Sequence, residues 1–179
     1  MSAEPEFSRL YRLDSLSDQP RRVEIEATPG EREALARRFG LVSIERLAAE
    51  AALSRNGAEV AAAGTLRAAV TQSCVASGEP VPEELEEAFR IHFRPPPETA
   101  GEEEIELSEG ELDVVFYGGN AIDLGEAVAE TLSLSLDPYP RSPAAERALR
   151  EAGVKAEEDA RAEASPFAAL KALKDRLEP

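Results

Sequence analysis

LAAEAALSRNG at residues 47–57 and AEVAAAGTLRAAVTQS at residues 58–73 decide the fold. Leu47, Ala49, Ala51 and Leu53 fall on one side of the first stretch, and Val60, Ala62, Gly64, Leu66, Ala68 and Val70 alternate through the second. Period-two alternation marks a half-buried strand. Glu59, Thr65, Arg67 and Thr71 form the opposite, polar set. Arg55-Asn56-Gly57 stands between the runs, and Asn-Gly flanked by alternating apolar residues is the strongest short hairpin signal. Together they predict one long antiparallel hairpin over residues 47–73.

C-terminal to it, Phe89, Ile91 and Phe93 alternate with Arg90, His92 and Arg94, which predicts a partner strand over 87–94. Pro95-Pro96-Pro97 stops that strand, because proline cannot donate to a ladder. The stretch 95–111 is acidic, lacks periodicity and reads as a loop. Leu112, Val114 and Phe116 resume strand periodicity over 112–117 before a turn at Gly118-Gly119-Asn120. Asp123-Leu124-Gly125-Glu126 reads as a capping box, and Leu124, Val128, Leu132 and Leu136 give the following helix an apolar stripe that Asp137-Pro138 ends.

N-terminal to the hairpin, Phe7, Leu10, Tyr11 and Leu13 open an apolar segment, and Val23 to Ala27 alternate as a short strand. Thr28-Pro29-Gly30-Glu31 supplies a cap, a proline at the first helical position and a capping-box glutamate, so a helix runs to about Phe39 and ends at Gly40. Ser142-Pro143 and Ser165-Pro166 read as later helix starts, the second leading into Leu170, Leu173 and Leu177. The expected fold is α+β: a mainly antiparallel sheet with a long hairpin, packed by two helices, plus a helical C-terminal tail. The expected division is an α+β domain over 1–140, with its acidic loop at about 95–111, and a charged tail over 141–179.

The chain has 179 residues, is 42 % apolar but only 5 % aromatic, and contains no Trp, so the core rests on a few Leu, Val, Ile and Phe positions. The formal charge is −16, and residues 95–140 hold twelve acids, from Glu98 to Asp137, with no Lys or Arg. Such a field repels phosphate backbones and attracts basic partners, although an acidic run also serves as a solvated surface. The acidic N-terminus has no apolar stretch behind it, and no apolar run approaches membrane-spanning length. A cytoplasmic protein without membrane contact is expected.

One Cys and one His exclude a closed zinc site within the chain, since structural zinc takes four ligands of mostly these types. They exclude an intrachain disulfide as well. His92 is the natural general base by its ordinary pKa, yet it stands between Arg90 and Arg94 with no acid beside it in sequence. Cys74 as a nucleophile needs that same imidazole within reach. A surface histidine and a small buried thiol are the plainer readings. Gly118-Gly119-Asn120 lacks the lysine and glycine spacing of a phosphate-binding loop, and Glu102-Glu103-Glu104 lacks calcium-loop spacing. No catalytic residue, metal ligand or cofactor is expected.

Gly64 through Pro80, then Ile122-Asp123-Leu124 with its Leu-rich helix and Asp137-Pro138, and lastly Ser165-Pro166-Phe167 through Lys174 occur in that order. This resembles the bacterial YceD family, also found in plastids, associated with accumulation of large-subunit ribosomal RNA. The resemblance runs from about Phe7 to Lys174. Many members resemble one another in a C-x-x-C pair after this strand, and some carry further cysteines near the C-terminus. Here Cys74 matches the first thiol, Ser77 stands at the second and Gly78 follows, so a metal role is not carried over.

The resemblance implies a non-enzymatic factor in large ribosomal subunit biogenesis or 23S rRNA accumulation. Its expected partners are a large-subunit precursor, a basic ribosomal protein or rRNA. In one reading, acids including Glu102, Glu103, Glu104 and Glu106 hold a basic component while Arg90, His92, Arg94, Lys171 or Lys174 touch RNA. A second is a direct RNA-binding module using its strand faces, against which stand the overall charge and the lack of an aromatic stacking pattern. A third is a Cys74/His92 hydrolase of unnamed substrate.

Overall fold

The computed structural model describes residues 5–97 and 113–154. Seven strands and three helices occur there: β1 (Leu10–Arg12), β2 (Arg21–Glu26), α1 (Pro29–Phe39), β3 (Ser43–Asn56), β4 (Glu59–Ser73), β5 (Pro80–Arg94), β6 (Val114–Phe116), β7 (Ala121–Asp123), α2 (Leu124–Ser135) and α3 (Ala145–Glu151). The main sheet has the order β2-β3-β4-β5-β6, and β1 pairs with β7 in a separate two-stranded ribbon. The α+β class and the mainly antiparallel sheet follow the sequence. The acidic loop beyond Pro97, Leu112 and the Ser165 helix lie outside the described residues.

The hairpin is longer than its apolar run suggests, because β3 starts at Ser43 and continues through a bulge between Ile44 and Arg46. Asn56 pairs with Glu59, so the loop is Gly57-Ala58. Gly57 takes the left-handed φ of +62° that a tight hairpin asks of its first loop residue. The expected 87–94 strand in fact begins at Pro80 and pairs with β4 from Ser73↔Pro80 to Val60↔Phe93. Pro80 and Pro82 read as breakers, but this half of β5 has no strand on its other side among the described residues. Proline is tolerated on such an edge. β6 is only three residues long and joins β5 in parallel, with Val114 opposite His92.

Leu47, Ala49, Leu53, Val60, Ala62, Leu66, Val70, Phe89, Ile91 and Phe93 point to one face of this sheet and are buried in a common core with Leu35 of α1 and Leu124, Val128 and Leu132 of α2. The other face is polar and small-residue rich, as period two requires.

Helix termini complete the frame. Thr28 and Glu31 form the expected capping box, and α1 ends at Gly40. Glu31 also accepts from Arg9 Nη1 at 2.7 Å, which fixes the N-terminal segment on α1 and holds the Glu31 carboxyl down at about 2. On α2 only half of the expected box forms: Asp123 accepts from the N–H groups of Gly125 and Glu126. The Glu126 carboxylate pairs with Arg38 of α1 at 2.7 Å instead of returning to the Asp123 backbone. The helix expected at Ser142-Pro143 starts later, with Ala144 as an N-cap lacking a side-chain bond.

Candidate functional site

Strand register separates the two residues that a hydrolase would need together. Ser73, next to Cys74, pairs with Pro80, whereas His92 pairs with Ala61. At about 3.4 Å per residue, the two sit roughly 40 Å apart at opposite ends of the β4–β5 ladder. The Cys74/His92 dyad is therefore not assembled. His92 does have an acid beside it in space: its Nδ1 lies 2.7 Å from Glu59 Oε1, and Arg94 Nε donates to Glu59 Oε2 at 3.1 Å. The His92 bond, then the Arg94 bond, hold the Glu59 carboxyl below its ordinary range. The cross-strand neighbour that tethers this histidine lies 33 residues away, so sequence adjacency could not reveal it.

At the other end, Cys74 is 3 % exposed in a tight turn. Its N–H donates to the Glu79 carbonyl at 2.8 Å, and its carbonyl accepts from Gly78 N–H at 2.9 Å. The Ser77 N–H points at the sulfur at 3.4 Å. Segment 137–142 packs onto this turn: Gln72 Nε2 donates to the Asp137 carbonyl at 2.9 Å, Val75 N–H to the Pro140 carbonyl at 2.9 Å, and Ser142 Oγ to Glu79 Oε2 at 2.7 Å. The Ser77 and Ser142 hydroxyls meet at 3.1 Å. Ser142, expected only as a helix start, instead belongs to this cluster.

These residues do not fit the metal that a C-x-x-C turn holds. One thiol, two hydroxyls and one carboxylate are a poor zinc set, and the sulfur faces N–H donors. Among the described residues no three His, Cys, Asp or Glu side chains are grouped for a metal. Bonds from the Ser142 backbone, then the Ser77 side chain, pull the Cys74 thiol from 9.0 to about 6. A depressed pKa stabilises the fold in full above the unfolded value, and that contribution disappears as the pH falls through the folded one. Cys74→Ser is thus expected to fold and to retain function, with a melting-temperature deficit that widens between pH 6 and pH 9. A deficit independent of pH in thermal melts would refute the thiolate.

Charge is segregated along β5. Between Pro80 and Ala88 the strand carries Glu83, Glu84, Glu86 and Glu87 and no base, and beyond it come Arg90, His92 and Arg94. Arg67 of β4 meets Glu86 at 3.4 Å and Glu50 at 3.0 Å. On the polar face, one register row reads Arg22, Ala52, Ala63 and Arg90 across four strands. Glu102, Glu103, Glu104, Glu106, Lys171 and Lys174 lie outside the described residues.

A family model described as large ribosomal RNA subunit accumulation protein YceD matches residues 62–174. No curated protein and no solved structure matches the chain.

Proposed function

The chain belongs to the YceD family, and from that membership we propose that it is a non-enzymatic, cytoplasmic factor in large ribosomal subunit biogenesis that docks basic ribosomal components on an acidic surface. The family's printed description supplies the process, accumulation of large ribosomal RNA. The observation that carries the mode of action is the base-free acidic half of β5, where Glu84, Glu86 and Glu87 are exposed. Such a surface draws basic protein segments and repels bare phosphate. The distance between Cys74 and His92 supports the non-enzymatic part. Among the described residues no helix is long and apolar enough to cross a membrane.

Co-sedimentation with large-subunit precursors tests this reading. Reversing Glu102, Glu103 and Glu104 to Lys, or Glu84 and Glu86 to Lys, is expected to lower association by about tenfold, as losing about 1.4 kcal/mol of charge complementarity does. Unchanged association in both variants would sink acidic docking.

One observation favours a second reading, direct RNA contact. The Arg22, Ala52, Ala63, Arg90 row gives the polar face a floor of small residues with an arginine on either side, and Arg94 lies four residues beyond Arg90 on the same face. Binding of large-subunit rRNA fragments that weakens steeply with salt would favour it, since each neutralised phosphate releases counterion. A flat salt response or no binding eliminates it.

A further inference from the structure

Among the described residues the acidic half of β5 is also an open sheet edge. His92 N–H donates outward to the Asp113 carbonyl, and the Arg94 carbonyl accepts from Tyr117 N–H. Backbone polar groups of a strand alternate sides, and the β4–β5 register runs without a shift, so the even-numbered residues of β5 turn their N–H and C=O away from β4. Glu84, Glu86, Ala88 and Arg90 therefore present a ladder edge of four donors and four acceptors, and all four residues are exposed. Beyond them Pro82 offers only a carbonyl, which closes the edge at that end.

A strand laid on this edge meets carboxylates on both of its faces. Glu84 and Glu86 stand on the polar face of the sheet, and Glu83 and Glu87 on the core side. A second copy of the chain would bring the same acids together, which like-charge repulsion opposes. An extended segment rich in Lys or Arg finds both hydrogen bonds and charge. We propose that the β5 edge from Glu84 to Arg90 accepts a basic, extended peptide segment of the partner as an added strand. The main chain supplies the binding ladder and the glutamates select the sequence, the division of labour of strand addition. This rests on the acidic-docking reading above and gives it a geometry.

The test uses the full chain and a capped nonapeptide of alternating Lys and Thr as the probe. Binding is followed by titration calorimetry, and protection of the Glu84, Glu86 and Ala88 amides by hydrogen exchange. The expected results are slowed exchange at those amides and about tenfold weaker binding in Ala88→Pro, which removes one outward N–H and no charge. A peptide with the same lysines but proline at every threonine is expected to bind about tenfold more weakly to the unaltered chain, so the result does not depend on the variant folding. If Ala88→Pro and the proline peptide both bind like their parents, the edge is not the site. Should Glu84→Gln with Glu86→Gln still weaken binding in that case, acidic docking survives without strand addition. Failure of any peptide to bind, or self-association of the chain through this edge, overturns the proposal.

Discussion

Gly64→Ala is expected to destabilise the protein by about 3 kcal/mol or more, because the added methyl group lands on backbone and not on a side chain that can turn away. A Cβ at this position would overlap the Glu50 carbonyl oxygen and lie 2.8 Å from Ala51 Cα. Both atoms belong to β3, which pairs with β4 along the whole hairpin, so relief requires prising apart the two central strands. On the other side Gly64 faces Phe89, whose ring is in the core. Urea unfolding of the variant beside Ala63→Ser, an exposed change on the polar face, separates close approach from a general penalty for altering β4. The argument fails if the two variants lie within about 0.5 kcal/mol of each other, the usual range for surface substitutions.

The second large effect is expected at Asp123, whose carboxylate closes the N-terminal segment onto α2. It accepts from Ser8 Oγ at 2.5 Å and Arg9 N–H at 2.8 Å, and caps the helix through Gly125 N–H at 3.0 Å and Glu126 N–H at 3.2 Å. Loss of an N-cap alone costs about 1 kcal/mol, and leaving Arg9 N–H and Ser8 without their acceptor adds a similar amount each. Asp123→Ala should therefore lose about 3 kcal/mol. Asp123→Asn keeps one acceptor oxygen and should lose about 1 kcal/mol. Equal losses for the two in chemical denaturation would mean that the acceptor oxygens do not matter.

What the chain discloses locally, it discloses well. The 47–73 hairpin, α1 with its capping box and α2 with its stripe each rest on residues within a few positions of one another. The first half of β5 was hidden because Pro80, Pro82 and four glutamates describe a breaker-rich acidic turn until the neighbouring strand is known. β7 is three residues, Ala121 to Asp123, flanking a helix start, and pairs with β1 across most of the chain, so no periodicity announces it. Glu126 completes a capping box by spacing, but Arg38 of another helix outcompetes the backbone for it.

The candidate surfaces follow the same division. Alternation placed Arg90, His92 and Arg94 on one face, and the structure keeps them there. The outward turn of the β5 amides became visible only through the bond from His92 to Asp113, and Ser142 reached the Cys74 turn only through the packing of segment 137–142.

The pairing of β1 with β7 also fixes an order of events during synthesis. Ser8 and Asp123, which bond to each other in the folded protein, are 115 residues apart in the chain. At about 5–20 residues per second, roughly 6–23 seconds pass between their translation. The β3–β4–β5 meander can zip from Gly57 well within that time, since its contacts are local. Phe7, buried in the finished core with its backbone against Gly125 of α2, has to wait. An apolar residue made before the meander is thus covered only after it, when α2 arrives.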